Sequence, residues 1–127
     1  MTGEGRVKSK VRNALRNRGF VVVPLNMTGI GMTGLPDDLI IVDGRALFVE
    51  FKYQMRWTSL KTLPRPNQAA AMELLRSAGA VCYVIDMGSA EEFIKLMVEK
   101  NFTALQKFEW RWTLADYIKF RNRGGTK

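Results

Sequence analysis

The nineteen residues from Gly34 to Lys52 constrain the fold more tightly than any other part of the chain. They read Gly-Leu-Pro-Asp-Asp-Leu-Ile-Ile-Val-Asp-Gly-Arg-Ala-Leu-Phe-Val-Glu-Phe-Lys. Two apolar runs flank an Asp-Gly pair. Such a pair signals a tight hairpin, because both central residues of the favoured turn need positive φ. For a two-residue loop at Asp43-Gly44, Val42 pairs with Arg45 and Asp37 falls opposite Glu50. Facing residues on paired strands have Cβ atoms about 5 Å apart. Alternation along the second strand places Lys52 on the face of Glu50 and sends Asp38 to the opposite face.

The remaining segments punctuate clearly. Residues 4–18 predict a helix whose apolar stripe is Val7, Val11, Ala14 and Leu15, ringed by Arg and Lys and stopped at Gly19. Phe20 to Pro24 predicts a short strand. Residues 26–35, with Gly29, Gly31 and Gly34, predict a flexible loop into the hairpin. This loop lacks the Gly-Lys-Ser/Thr ending of a phosphate loop and the dinucleotide fingerprint. Tyr53 to Asn67 forms a long loop, and loops of that length often carry function. A helix from about Pro66 to Ala78 follows, with Gly79 as its stop. Gln68, Ala71, Met72 and Leu75 share its inward stripe, while Glu73 and Arg76 point out. A glutamine on a buried stripe needs a polar partner. Val81 to Asp86 predicts a buried strand. Ser89 with Glu92 predicts a capping box for a helix to about Lys100, with Phe93, Leu96 and Met97 inward. Beyond it lies a basic, aromatic tail with a second capping pair, Thr113 and Asp116. The element order gives an α/β fold, a mixed central sheet flanked by helices on both faces.

Charge is distributed unevenly. The 127 residues carry a formal +8, arranged as +5 over residues 1–18, −2 over 19–99 and +5 over 100–127. Basic ends around an acidic centre suit a polyanionic ligand, with the central carboxylates left for a cation. Solvated helix faces are the bland alternative. The chain contains no histidine, which excludes His-based triads and His-rich metal sites. The single cysteine, Cys82, lies in an apolar run and makes neither an internal disulfide nor a thiolate cage. No apolar run approaches a membrane span, and the N-terminus has no signal-peptide pattern. These features lead to the expectation of one domain over residues 1–127 in a reducing, cytoplasmic setting.

Two facing carboxylates repel unless a cation or a proton lies between them. Mg²⁺ prefers oxygen ligands and is often held by one or two carboxylates, with water and phosphate completing its shell. A lysine alongside can orient or deprotonate water, or offset charge on a reacting phosphate. From spacing alone, the same three residues equally suit a cross-strand salt bridge with no chemistry.

Pro36-Asp37 followed by Glu50-Phe51-Lys52 resembles the PD-(D/E)xK nuclease signature. Further parts of the chain agree: Glu4 on a first helix ending at Gly19, the run Gly34-Leu35-Pro36-Asp37, the run Phe48-Val49-Glu50-Phe51-Lys52, and Gln68 opening a helix that ends in Gly79-Ala80-Val81. In order and spacing this is similar to the virus-type replication-repair nuclease (VRR-NUC) family, over roughly residues 4–98. The resemblance implies a restriction-endonuclease-like core with residues 100–127 as an extension. It implies Asp37, Glu50 and the Phe51 carbonyl as metal ligands, with Glu4 as an outer acid or merely a helix-dipole residue. Lys52 would position or activate water, and Gln68 would reach the same site. Arg56, Lys61 and Arg65 of the long loop, with Lys8 and Arg12 of the first helix, are candidate nucleic-acid contacts. The loop departs from the family pattern, being longer and reading Leu63-Pro64-Arg65-Pro66-Asn67-Gln68.

The implied activity is Mg²⁺-dependent endonucleolytic cleavage of DNA, with Mn²⁺ as a substitute. Holliday-junction or flap-like substrates in phage or prophage replication or repair would fit, as would a homodimer or higher oligomer. Two rivals come from other classes: a non-catalytic nucleic-acid-binding module, and a structural subunit using the aromatic tail as its interface. For the tail's large aromatics, packing is favoured over base stacking.

Overall fold

The structure, a computed structural model, describes residues 2–25 and 33–122. Most of the loop expected over residues 26–35, including Gly29 and Gly31, lies outside the described residues.

Helix α1 (Gly3–Asn17) starts at Thr2, whose hydroxyl accepts from the Gly5 amide at 3.0 Å. It buries Val7, Val11 and Leu15 and ends before Gly19, whose φ is +83°. Strand β1 (Val21–Pro24) pairs antiparallel with β2 (Asp38–Val42), which pairs antiparallel with β3 (Arg45–Phe51). The hairpin register is the expected one: Val42 faces Arg45 and Asp38 faces Val49. Asp43 and Gly44 both take positive φ, 49° and 75°, as the tight turn requires. Asp37 stands one residue before β2, so its carboxylate is placed by the end of the ladder rather than by a ladder pair.

After the long loop, α2 (Pro66–Ser77) leads to β4 (Val81–Ile85), which lies parallel to β3. The sheet order is β1-β2-β3-β4. One face carries the larger core, where Val7, Val11 and Leu15 of α1 meet Ile40, Leu47, Val49, Phe51 and Ile85. Helix α3 (Ala90–Val98) adds Phe93 and Met97 to the same core, as its spacing predicts. The other face carries a smaller core, in which Ala69 and Met72 of α2 pack with Cys82, Val84, Trp110 and Tyr117. The mixed sheet flanked by helices is thus the fold in place.

The loop after β3 is pinned at several points. The Met55 amide donates to Asp86 Oδ2 at 2.8 Å, and the Arg56 amide to Thr62 Oγ1 at 2.7 Å. A 3-10 turn at Leu60–Thr62 and the fully buried Leu63 complete the anchoring. The tail is tied down as well. Trp110 N donates to the Cys82 carbonyl at 2.9 Å, and the Tyr117 hydroxyl donates to the Pro64 carbonyl. Its aromatics pack, as expected, with Trp112 against Trp110, Tyr117 and Phe120. Helix α4 (Phe102–Leu105) is one turn capped by Asn101, and α5 (Leu114–Asn122) has the predicted reciprocal cap. Thr113 N donates to Asp116 Oδ2 at 2.8 Å, while Asp116 N donates to Thr113 Oγ1 at 3.3 Å.

Two local expectations are corrected. Ser89 precedes α3 but makes no cap bond: its hydroxyl turns back to Asp86, and Glu92 pairs with Lys107 instead. Asp86 holds both Ser89 and the Met55 amide, so the serine is drawn away from the helix it precedes. Arg76 does not simply point to solvent. Its guanidinium donates to the Trp110 carbonyl at 2.9 Å and ties α2 to the tail.

Candidate active site

The site assembles where β3 ends and α2 begins. Glu50 is the next-to-last residue of β3 and only 2% exposed. Its Oε2 accepts from Gln68 Nε2 at 2.9 Å and lies 3.4 Å from Lys52 Nζ. Gln68 Oε1 in turn accepts from Lys52 Nζ at 3.0 Å and from the Arg65 amide at 2.8 Å. The buried glutamine therefore has partners on both ends of its amide, which fixes Glu50 and Lys52 relative to each other. Helical spacing alone sends Gln68 inward, and the third residue of a helix is well placed to return a side chain to its N-cap amide.

Asp37 is held from two sides. Its Oδ2 accepts from the Phe51 amide at 2.8 Å, and its Oδ1 lies 3.3 Å from Lys8 Nζ. Asp38 faces the other way, as its alternation predicts. It is 1% exposed and receives Arg12 through two donors, at 2.8 and 2.5 Å. The hydrogen bonds to Asp38 raise the Arg12 guanidinium above its ordinary value, against the opposing effect of burial. Lys8 and Arg12, expected on nucleic acid, are thus engaged by Asp37 and Asp38. A sequence signal for this exists. Glu4, Lys8 and Arg12 fall four residues apart on one helix stripe, facing a strand that opens with two aspartates.

Electrostatically, Glu50 is the outlier. Burial pushes its carboxyl up to about 8, and the nearby Asp37 and, more weakly, Glu4 push the same way while Lys52 opposes them. At neutral pH such a group keeps a proton unless a cation takes its place. That is a physical test of whether the donors suit a divalent ion. Two carboxylates at a strand end, one of them disfavoured as a bare anion chiefly by burial, and with no histidine or cysteine beside them, fit a hard, oxygen-preferring cation such as Mg²⁺. Among the described residues, no three His, Cys, Asp or Glu side chains gather as a metal-holding group. Glu4 is near enough to be felt electrostatically by Glu50 without joining it and Asp37 in such a group. Instead it lines, with Lys52, Tyr53, Arg56 and Lys61, a cleft of about 380 Å³. Two of the predicted loop contacts, Arg56 and Lys61, therefore share a cleft with Lys52. Arg65, whose amide donates to Gln68, lines instead an adjoining groove with Lys61, Leu114, Ile118 and Arg121.

One further residue is structural to the site. Gly34 has φ +80°, and a Cβ there would lie 2.5 Å from the Asn67 carbonyl at the start of α2. Only glycine permits the run to Asp37 to pass this close to the helix that carries Gln68. Gly34→Ala is expected to cost about 1–3 kcal/mol and to loosen the site, read as a lower urea midpoint.

No family model and no curated protein sequence matches the chain. Among solved structures, one described as a "VRR_NUC domain" matches with a TM-score of 0.59 and 30% identity, over 75% of this chain and 97% of that one. With the expected strand register, the Glu50–Gln68–Lys52 contacts and this similarity together, the chain belongs to the VRR-NUC family of nuclease domains.

Proposed function

We propose that this protein is a Mg²⁺-dependent endonuclease that hydrolyses phosphodiester bonds in DNA. The observation that carries this reading is the amide bridge of Gln68, which holds a buried, proton-retaining carboxylate and an ammonium together at one strand end. Asp37 and Glu50, with the Phe51 carbonyl, would hold the cation. When bound, it supplies Lewis-acid charge at the phosphate and lowers the pKa of water.

The chain's own residues account for the rest. The Phe51 amide and Lys8 fix Asp37, so that it presents one geometry. Gln68 holds Lys52 Nζ beside Glu50, where the ammonium can orient water and offset charge building on the phosphate oxygens. Arg56 and Lys61, on the same cleft wall, can grip neighbouring phosphates, giving a salt-sensitive affinity. Glu4, on the opposite side of the charge balance, repels phosphate and favours a cation or water at its end of the cleft.

A branched substrate needs two coordinated cuts, which suits a homodimer. Val21, Val23 and Ile41 of adjoining strands are exposed and offer an apolar surface for a second copy. Multi-angle scattering distinguishes monomer from dimer.

The experiment that tests the function is a panel of labelled duplex, nicked, flapped and four-way DNA, each with Mg²⁺, Mn²⁺ and chelator. Lys52→Met is expected to lower the cleavage rate about 100-fold or more with DNA affinity within a few-fold. Unchanged cleavage by this variant would remove Lys52 from the site. Salt-sensitive binding with no metal-dependent cutting would favour a non-catalytic DNA-binding module.

A further inference from the structure

The tail's Trp110 and Tyr117 are buried in the fold, but Trp57, which packs against the tail, is not. Trp110 and Tyr117 are 5% and 4% exposed, whereas Trp57, on the loop after β3, is 52% exposed. It is nonetheless held in place. Its ring stacks on Trp110 at 5.4 Å and 13°, and meets Trp112 edge-on at 5.0 Å. A rigid indole backed on one side by two others, with about half its surface in water, is a preformed stacking platform.

The platform is part of a cleft of about 250 Å³, lined also by Met55, Asp86, Trp110, Trp112 and Arg111. This cleft adjoins the Lys52 cleft through one strip of chain. Tyr53, Gln54 and Arg56 line the Lys52 side, while Met55 and Trp57 line the aromatic side. Trp57 follows Lys52 by five steps of the chain, so their Cα atoms are at most about 18 Å apart. That is within about five nucleotide steps along one strand. The Lys52 cleft carries the excess of cations, with Lys52, Arg56 and Lys61 against Glu4, whereas on the aromatic side Arg111 pairs with Glu109 and Lys107 with Glu92. A purely structural cap over Trp110 has no need of a half-exposed ring beside a cationic cleft. A nucleic-acid strand, alternating phosphate with a flat apolar base, matches a cationic cleft for the phosphate next to a half-exposed ring for the base.

We propose that the Trp57 cleft is a stacking subsite for one unpaired nucleobase, on the strand whose phosphate occupies the Lys52 cleft, an assignment that rests on phosphodiester hydrolysis at that cleft. Stacking on an indole face is tolerant of base identity, so the subsite reads whether a nucleotide is unpaired rather than which base it carries. Bases inside a continuous duplex are already stacked on their neighbours and cannot use it. The protein therefore favours strands with single-stranded nucleotides a few steps from the cleaved bond.

Equilibrium binding by fluorescence anisotropy, in chelator to prevent cutting, isolates the base from the phosphates. One labelled duplex carries a five-nucleotide single-stranded extension with normal bases. A second carries the same extension built of abasic nucleotides. Wild-type protein is expected to bind the base-bearing extension about 5- to 100-fold more tightly. Trp57→Ala is expected to abolish this difference and Trp57→Phe to retain most of it, with circular dichroism confirming the fold of each. Equal wild-type affinity for the two extensions, or a difference that survives in Trp57→Ala, overturns the subsite. Cleavage of the same DNA in Mg²⁺ is read separately. Binding that depends on Trp57 without any cleavage would sink the nuclease assignment and leave the subsite standing, and the converse result would do the reverse.

Discussion

Glu50→Gln is expected to abolish DNA cleavage, by about 1,000-fold or more if two carboxylates hold the cation, while removing a pH-dependent weakness of the fold. The carboxyl of Glu50 has an ordinary value of 4.5 in the unfolded chain and is pushed to about 8 in the fold, chiefly by burial. Its folded value is raised, so the stability linked to it is fully present below about pH 4.5. That stability is lost progressively as pH rises towards 8, because over this range the unfolded chain releases the proton while the folded site retains it. One pKa unit is about 1.4 kcal/mol, so between pH 5 and pH 8 this group removes on the order of 2–4 kcal/mol in the absence of metal. The neutral amide of glutamine keeps an acceptor for Gln68 and does not titrate. Urea unfolding at pH 5 and pH 8 checks this: the wild type should lose stability across the interval, and the variant should lose much less. If both show the same slope, Glu50 is not the titrating group. Added Mg²⁺ should restore wild-type stability at pH 8 and leave the variant unaffected, since only a folded-state ligand shifts the equilibrium.

Asp38→Ala carries the second large effect, and it is structural. Asp38 is 1% exposed and takes both donors of Arg12, whose side chain is 19% exposed. Removing the carboxylate strands a largely desolvated guanidinium under α1. Breaking a buried pair in this way costs about 3–5 kcal/mol, and partial access of Arg12 to water reduces this to about 2–4 kcal/mol. Substituting both members, as Asp38→Leu with Arg12→Met, is expected to recover most of the loss, because the cost lies in the unpaired charge. A double variant as unstable as Asp38→Ala alone would show that the pair itself holds α1 to the sheet. Adjacent aspartates thus have separate partners, with Asp37 held by the Phe51 amide and Lys8 at the end of the ladder and Asp38 bracing the helix through Arg12.

The division between these two aspartates was open to sequence reasoning because the Asp43-Gly44 turn fixes the register. Once Val42 faces Arg45, alternation sorts every later side chain, and Glu50 and Lys52 follow. Gln68 was legible for a similar reason: helical spacing sends it inward, and a buried amide must find polar partners. Contacts that depend on chain segments far apart were not legible. Nothing local tells Arg76 that the Trp110 carbonyl lies above it, 34 residues away. Ser89 and Glu92 have the spacing of a capping box, but Asp86 sits three residues earlier and competes successfully for the hydroxyl. Helix α4 is a single turn, too short to produce a periodic pattern. Charge alone suggests Lys8 and Arg12 as phosphate contacts, yet a basic helix packed over two aspartates meets those acids first.

The electrostatics also explain why the carboxylate pair is not simply a salt-bridge motif. A cross-strand ion pair made for stability would hold Glu50 well below its ordinary value. Here Lys52 lowers it, but burial and Asp37 together outweigh the lysine. Desolvation is the larger part of that effect, so Lys52 at 3.4 Å does not hold Glu50 ionised as a pair made for stability would.

The most direct measurement is cleavage of an end-labelled DNA duplex with a single-stranded extension by wild type and Asp37→Asn, in Mg²⁺ and after chelation. Asparagine keeps an oxygen that can accept the Phe51 amide but lacks the charge for a cation. Cutting by wild type in Mg²⁺, its loss on chelation, and its absence in Asp37→Asn are the predicted results. Cutting that persists in chelator, or at the wild-type rate in Asp37→Asn, would contradict a metal-dependent site at Asp37 and Glu50.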